Sequence, residues 1–169
     1  QRQMCIRDRV ETLRLLERKV QIYLPDLKYH DDALAQRYSR CNNYFTTASK
    51  AILEMFRQVG PYELDERGIM QKGVIIRHMV LPSHRRDSIA LLRWIREHYP
   101  HGHYLISLMS QYTPFYKAKE HKALGRRIST YEYRKAVDYA VELGLTEGFM
   151  QKKSSAKEEY TPAFNLEGV

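Results

Sequence analysis

An α/β fold built on a parallel sheet is the class this sequence predicts, on three observations. Val20–Leu24, Gly73–Ile76 and Tyr104–Met109 are short apolar runs rich in β-branched and aromatic residues, which marks them as strands. Segments with apolar residues at helical spacing fill the gaps between them. The resulting order of strand, helix, strand, helix, strand, helix calls for parallel pairing with crossover connections. All three runs end in polar clusters: Pro25-Asp26-Leu27-Lys28, Arg77-His78 and Ser110-Gln111-Tyr112. A parallel sheet gathers those ends on one edge, where ligands bind in such folds. Asp26, Lys28, Arg77, His78, Gln111 and Tyr112 are therefore the candidate site.

Taken in order, Val10 to Lys19 spaces Val10, Leu13, Leu15 and Leu16 among charges and reads as a helix feeding the first strand. Asp31 or Asp32 can cap the next helix, whose apolar positions run from Leu34 and Tyr38 through Phe45, Ile52 and Phe56, with a break at Cys41-Asn42-Asn43. Gly60-Pro61 stops it. Asp65-Glu66-Arg67-Gly68 has turn composition, so Tyr62 to Gln71 reads as a short hairpin or extended excursion before the second strand. A helix follows from Ser83 or His84, with Ile89, Leu92, Trp94, Ile95 and Tyr99 on its apolar face, and Pro100 ends it. Thr113 to Arg127 is a long basic loop on the candidate edge, a place where substrate-facing segments gather. Ser129-Thr130-Tyr131-Glu132 is a capping box that opens a helix closing at Gly144. Leu145 to Gln151 reads as one more short strand, and Lys152 to Val169 as a polar tail.

At 169 residues, 43% hydrophobic and 11% aromatic, the chain has the length and apolar content of one domain. No apolar run approaches membrane-spanning length and no signal-peptide pattern opens the chain, so the expectation is a soluble cytoplasmic protein with no membrane partner. Net charge is +8 with a pI near 9.5. That basic excess is dispersed and lacks the signatures of a nucleic-acid reader, so it implies only weak attraction to polyanions. The eight glycines form no GxGxxG or Walker-type loop, and the serines form no GxSxG elbow. His98, His101 and His103 are close in sequence, but their flanks, Tyr99-Pro100 and Gly102, describe a solvated helix-to-strand loop rather than a metal site. Cys5 and Cys41 are too few to ligate zinc or an iron-sulfur cluster through thiolates.

Four strings carry a family resemblance: Ile22 to Tyr29, Ile76 to Pro82, Leu108 to Pro114 and the ending Phe164-Asn165-Leu166-Glu167-Gly168-Val169. Together, over about residues 10 to 169, they resemble the C-terminal part of radical S-adenosylmethionine proteins, in particular uncharacterised relatives of the pyruvate formate-lyase activating enzyme. The resemblance implies a partial TIM-like (βα) barrel, of which this chain holds the later βα units. It also implies a 4Fe-4S cluster that reductively cleaves S-adenosylmethionine to a 5'-deoxyadenosyl radical. On this resemblance Asp26 and Lys28 match a DLK string at a strand end, the Asp facing a cation or the cosubstrate and the Lys contacting the cosubstrate. Arg77 matches a basic residue suited to the methionine carboxylate, since guanidinium offers a fork of donors. His78, Gln111 and Tyr112 complete the expected cosubstrate rim.

The sequence departs from that family where the cluster binds: no CxxxCxxC loop is present, nor the glycine-rich segment that holds the methionine amino group. Residues 1–9 read as a non-native, adapter-like extension, 10–151 as the later part of the barrel and 152–169 as a tail. The expectation is thus a fragment whose parent is an enzyme, its substrate a glycyl-radical-type protein or a small molecule. Two other classes fit the composition: a non-catalytic basic α/β interaction domain, and an unrelated α/β enzyme using Asp26 as base with Lys28 or Arg77 as electrostatic stabiliser. The cysteine content makes a direct test. Anaerobic reconstitution with iron and sulfide should leave the monomer colourless, and stoichiometric 4Fe-4S absorbance would contradict the fragment reading.

Overall fold

The structure, a computed structural model, describes residues 10–150. The extension expected at 1–9 and the tail expected at 152–169 lie outside the described residues.

The first helix, α1 (Val10–Arg14), is shorter than its apolar pattern suggests. Only Leu13 is buried, while Leu15 and Leu16 face solvent, and one anchored turn does not sustain a longer helix. Turns occupy the residues up to Lys19, with Arg18 at φ 63°. Strand β1 is likewise reduced to Ile22–Tyr23. Pro25 has no amide hydrogen, so the ladder is interrupted there, but pairing resumes at Asp26.

Helix α2 (Asp32–Ser39) starts where Asp31 accepts from the Ala33 amide at 2.8 Å. It ends with Arg40 in the left-handed region, φ 53°. Asn43, also left-handed at φ 54°, opens α3 (Tyr44–Val59), so the break expected at Cys41-Asn42-Asn43 is real. The Asp32 carboxylate serves this second start, accepting from the Phe45 amide at 2.8 Å. Strand β2 (Glu63–Leu64) pairs antiparallel with β3 (Met70–Met79), and the Asp65 carboxylate closes the turn on the amides of Arg67 and Ile69. Strand β3 runs well beyond the predicted Gly73–Ile76 because β2 supports its first half and the chain around Asp26 its second. Arg77 and His78 therefore lie within the strand rather than past its end.

Helix α4 (Arg85–His98), strand β4 (Tyr104–Met109), a 3-10 helix (Tyr116–Glu120), helix α5 (Thr130–Glu142) and strand β5 (Gly148–Met150) complete the described chain. The predicted capping box is present at α5: Ser129 Oγ accepts from the Glu132 amide, and the Glu132 carboxylate accepts from the Ser129 amide. The sheet order is β1-β3-β4-β5, all parallel, with β2 antiparallel on β3. The fold is α/β with a central parallel sheet flanked by helices, as predicted. No helix among the described residues is long and apolar enough to cross a membrane.

Register divides the sheet into two chemically different faces. Val74, Ile76 and His78 align with Tyr104, Ile106 and Leu108, and all six are buried. Leu91, Leu92 and Ile95 of α4, Ala136 and Ala140 of α5, and Ala48, Ile52 and Met55 of α3 join the same core cluster. The alternate positions, Ile75, Arg77 and Met79 on β3 with Leu105, Ser107 and Met109 on β4, lie outside it. A period of two in the strands is thus enough to separate the core face from the face that carries Arg77.

Gly148 lets β5 close the sheet. Its φ is 146°, and a Cβ there would lie 1.9 Å from the Ile106 carbonyl oxygen, a backbone atom with no freedom to retreat. Gly148→Ala should cost roughly 1–3 kcal/mol in chemical denaturation and expose the Ile106 amide to exchange. Unchanged stability would show that β5 does not depend on this approach.

Candidate functional site

The site forms where the chain after β1 runs beside β3. Leu27 donates its amide to the Arg77 carbonyl at 2.9 Å, and the Arg77 amide donates to the Pro25 carbonyl at 2.8 Å. This parallel bridge sets Asp26 opposite Arg77. The side chains of Asp26 and Arg77 then share the face turned away from the core, and Arg77 Nη2 lies 2.7 Å from Asp26 Oδ1. Both side chains are about a third exposed, so the ion pair itself adds on the order of 0–1 kcal/mol.

Its geometry is incomplete. Among the described residues, the buried Arg77 Nε has no hydrogen-bond partner, and Asp26 Oδ1 touches Arg77 Nη2 without hydrogen-bond alignment. Buried polar atoms normally find partners, so this pair retains binding capacity. Around it, Asp26, Lys28, Arg77, Met79, Met109 and Gln111 line a cavity of about 120 Å³. Gln111 reaches it from just beyond β4, where its amide nitrogen makes a weak 3.5 Å contact to Met109 Sδ. Beside β1, at one end of the described sheet, the same two charged residues border a more apolar groove of about 440 Å³ that includes Leu16, Ile22, Leu24 and Met55.

The backbone that carries Asp26 and Lys28 is held on its other side. Tyr44, buried at the start of α3, donates its hydroxyl to the Asp26 carbonyl at 3.0 Å and accepts the Lys28 amide at 2.9 Å. One phenol thus satisfies the backbone on both sides of Leu27.

Four of the six predicted residues, Asp26, Lys28, Arg77 and Gln111, come together. His78 does not: alternation sends it to the opposite face, where it is 1% exposed and bonded to Leu27 and Ser88. Nor does Tyr112 line the cavity; its hydroxyl donates to the Leu124 carbonyl at 3.0 Å and ties down the long basic loop. Sequence reasoning missed Met79 and Met109, although Met79 follows Arg77 by one strand period and Met109 is its register partner. Tyr44 carries no sequence signal, because its partners lie 16 and 18 positions away and only the packing of α3 on the sheet delivers it.

A larger cleft of about 1160 Å³ lies over the starts of α4 and α5, lined in part by His30, Ser83, His84, Arg85 and Asp87. Its carboxylates are engaged, Asp31 and Asp32 by the amides at the starts of α2 and α3. Arg126 makes a two-pronged contact with Glu132, both distances 2.8 Å, and holds that carboxyl far below the usual carboxylate range. Asp87 accepts from the amides of His30 and Asp31. Its carboxylates cap helix starts, and Arg85 and Arg86 add positive charge to the lining.

Among the described residues no group of three or more His, Cys, Asp or Glu could hold a metal ion. His98 donates through Nδ1 to the Trp94 carbonyl and stacks on the Trp94 ring, His101 contacts Arg96, and His103 contacts the His101 carbonyl. Cys41, the one cysteine among the described residues, is half-buried.

No family model matches the sequence, and no solved structure matches it. Among curated proteins the chain is similar to the uncharacterized protein MJ0674 of Methanocaldococcus jannaschii, 30% identical over 137 residues, which is 80% of this chain. The matched region is 36% of that relative's length.

Tyr44→Phe removes a donor and an acceptor from a buried position and leaves the Asp26 carbonyl and Lys28 amide without it. Denaturant unfolding should show a loss of about 1–3 kcal/mol, with faster amide exchange at Lys28 than at strand β4. A neutral substitution would show that water replaces the phenol there.

Proposed function

We propose that the cavity between Asp26 and Arg77 is part of an S-adenosylmethionine site, in a protein related to the radical S-adenosylmethionine enzymes that resemble the pyruvate formate-lyase activating enzyme. The observation that carries this reading is the Asp26–Arg77 contact, made by the parallel bridge beyond β1 near the C-terminal end of β3, with Arg77 Nε left without a hydrogen-bond partner among the described residues. An amino acid end presents one carboxylate and one ammonium. Arg77 offers a planar fork of donors to the first, and Asp26 accepts from the second. In the absence of ligand these two groups face each other, so binding exchanges one ion pair for two and leaves no charge uncompensated.

The cavity of about 120 Å³ is small beside the roughly 300–1,000 Å³ of ordinary small-molecule pockets, so it suits one end of the cosubstrate. Lys28 and Gln111 add donors at the rim. Met79 and Met109 supply soft, adaptable apolar contacts beside the charges. These residues bind and orient; bound S-adenosylmethionine would supply the group that is cleaved. The described residues do not fit a 4Fe-4S cluster, since they contribute a single cysteine and no cluster of metal-binding side chains. Cluster ligation therefore falls outside what these residues perform, whereas they supply part of the cosubstrate and substrate site, the substrate being a glycyl-radical-type protein or a small molecule.

Titration of the isotope-labelled chain with S-adenosylmethionine should give saturable shifts at Asp26, Lys28 and Arg77. Arg77→Ala should weaken binding by about tenfold or more, because it removes charge-assisted hydrogen bonds. Arg93→Ala, on the exposed face of α4 where Arg93 meets Tyr139, should leave binding within about twofold of the parent chain. Equal affinities in the two variants, or shifts confined to other surfaces, would overturn the assignment.

A further inference from the structure

His78 is a buried titratable group that sits directly behind the candidate site and does not enter it. Its Nδ1 lies 2.7 Å from the Leu27 carbonyl and its Nε2 lies 2.9 Å from Ser88 Oγ. A carbonyl oxygen only accepts, so Nδ1 carries the proton. In the neutral ring Nε2 is then the acceptor, and the Ser88 hydroxyl donates to it. Complete burial favours the neutral ring and holds the imidazole below its ordinary range, against smaller opposing pulls from the Leu27 carbonyl and then Asp87.

The connection joins three elements. His78 is on β3, Ser88 is in the first turns of α4, and Leu27 sits between Asp26 and Lys28 on the chain beyond β1. Leu27 itself is fully buried, and its amide is bonded to the Arg77 carbonyl. Both polar groups of the Leu27 backbone are therefore fixed from β3, one by main chain and one by an imidazole. Because side chains alternate in extended chain, fixing Leu27 toward the core directs Asp26 and Lys28 to the far face.

We propose that His78 is a positioning residue: in its Nδ1–H tautomer it locks the Leu27 peptide and thereby aims Asp26 and Lys28 into the cavity beside Arg77. The proposal rests on the preceding reading only in treating that cavity as a cosubstrate site; the lock itself stands on the buried hydrogen bonds.

The test uses the full chain with nitrogen-15 labelled histidine, and S-adenosylhomocysteine as the binding probe. Long-range imidazole spectra near neutral pH should show His78 as the neutral Nδ1–H tautomer. Two variants separate positioning from bulk. His78→Asn retains a side-chain donor near the Leu27 carbonyl, and His78→Leu retains volume alone. Among folded variants, His78→Leu should speed Leu27 amide exchange and weaken probe binding by about tenfold each, with His78→Asn within about threefold of the parent. If His78→Leu does not fold, Ser88→Ala decides, since without its donor the Nδ1–H preference should fall. An imidazolium or Nε2–H form in the parent chain would overturn the proposal. So would a folded His78→Leu with unaltered exchange at Leu27. Absence of probe binding by the parent would sink the cosubstrate reading alone, because tautomer and exchange still decide the lock.

Discussion

The parallel bridge between the Pro25–Leu27 segment and Arg77 is the constraint on which the site depends. It consists of two main-chain hydrogen bonds, yet it fixes the side-chain parity of everything near it. In this register Leu27 and His78 fall on the core face and Asp26 and Arg77 on the other. A slip of one residue in this segment would turn Asp26 and Lys28 toward the core and expose Leu27, while β3 keeps its own register with β4. Burying either charge alone costs several kcal/mol, far more than the bridge contributes, so the pattern of polarity enforces the register that the bridge expresses.

The segment from Pro25 to Lys28 is irregular, but most of its main-chain groups are accounted for. The Pro25 carbonyl and Leu27 amide pair with Arg77, the Asp26 carbonyl and Lys28 amide with Tyr44, and the Leu27 carbonyl with His78. Proline prevents an uninterrupted ladder here, and side chains from α3 and β3 substitute for the missing strand partner. This arrangement explains how a stretch without regular pairing holds a charged rim in place. The rim itself is under-bonded at Asp26 Oδ1 and Arg77 Nε, so rigidity behind the site coexists with unused hydrogen-bonding capacity within it.

Much of the remaining polar structure at this edge caps helix starts. Asp31, Asp32, Asp87, Ser129 and Glu132 all accept main-chain amides near helix starts. Arg126 neutralises Glu132, and Ser83 donates its amide to the same carboxylate, which couples the starts of α4 and α5. Amides at helix starts lack partners within the helix, and placing several helices over one edge requires many such acceptors. The large cleft in that region follows from this demand, whereas the smaller cavity beside Arg77 has polar atoms left over.

The sequence by itself determined the α/β class, the order of elements, the capping box at Ser129 and Glu132, and the meeting of Asp26 with Arg77. The first three are set by local chemistry or by a period of two or 3.6 residues, and the last follows from parallel pairing, which brings the ends of neighbouring strands together. It overextended the first helix and first strand, because apolar spacing at Leu15 and Leu16 does not reveal that both stay exposed among the described residues. It also assigned His78 and Tyr112 to the cavity by their nearness to strand ends. Only the tertiary structure decided that His78 faces the core, that Tyr112 ties down a loop, and that Tyr44 and Met109 belong beside Asp26. Those outcomes depend on which side of the sheet the helices cover and on contacts between residues far apart in the chain, and no local pattern encodes either.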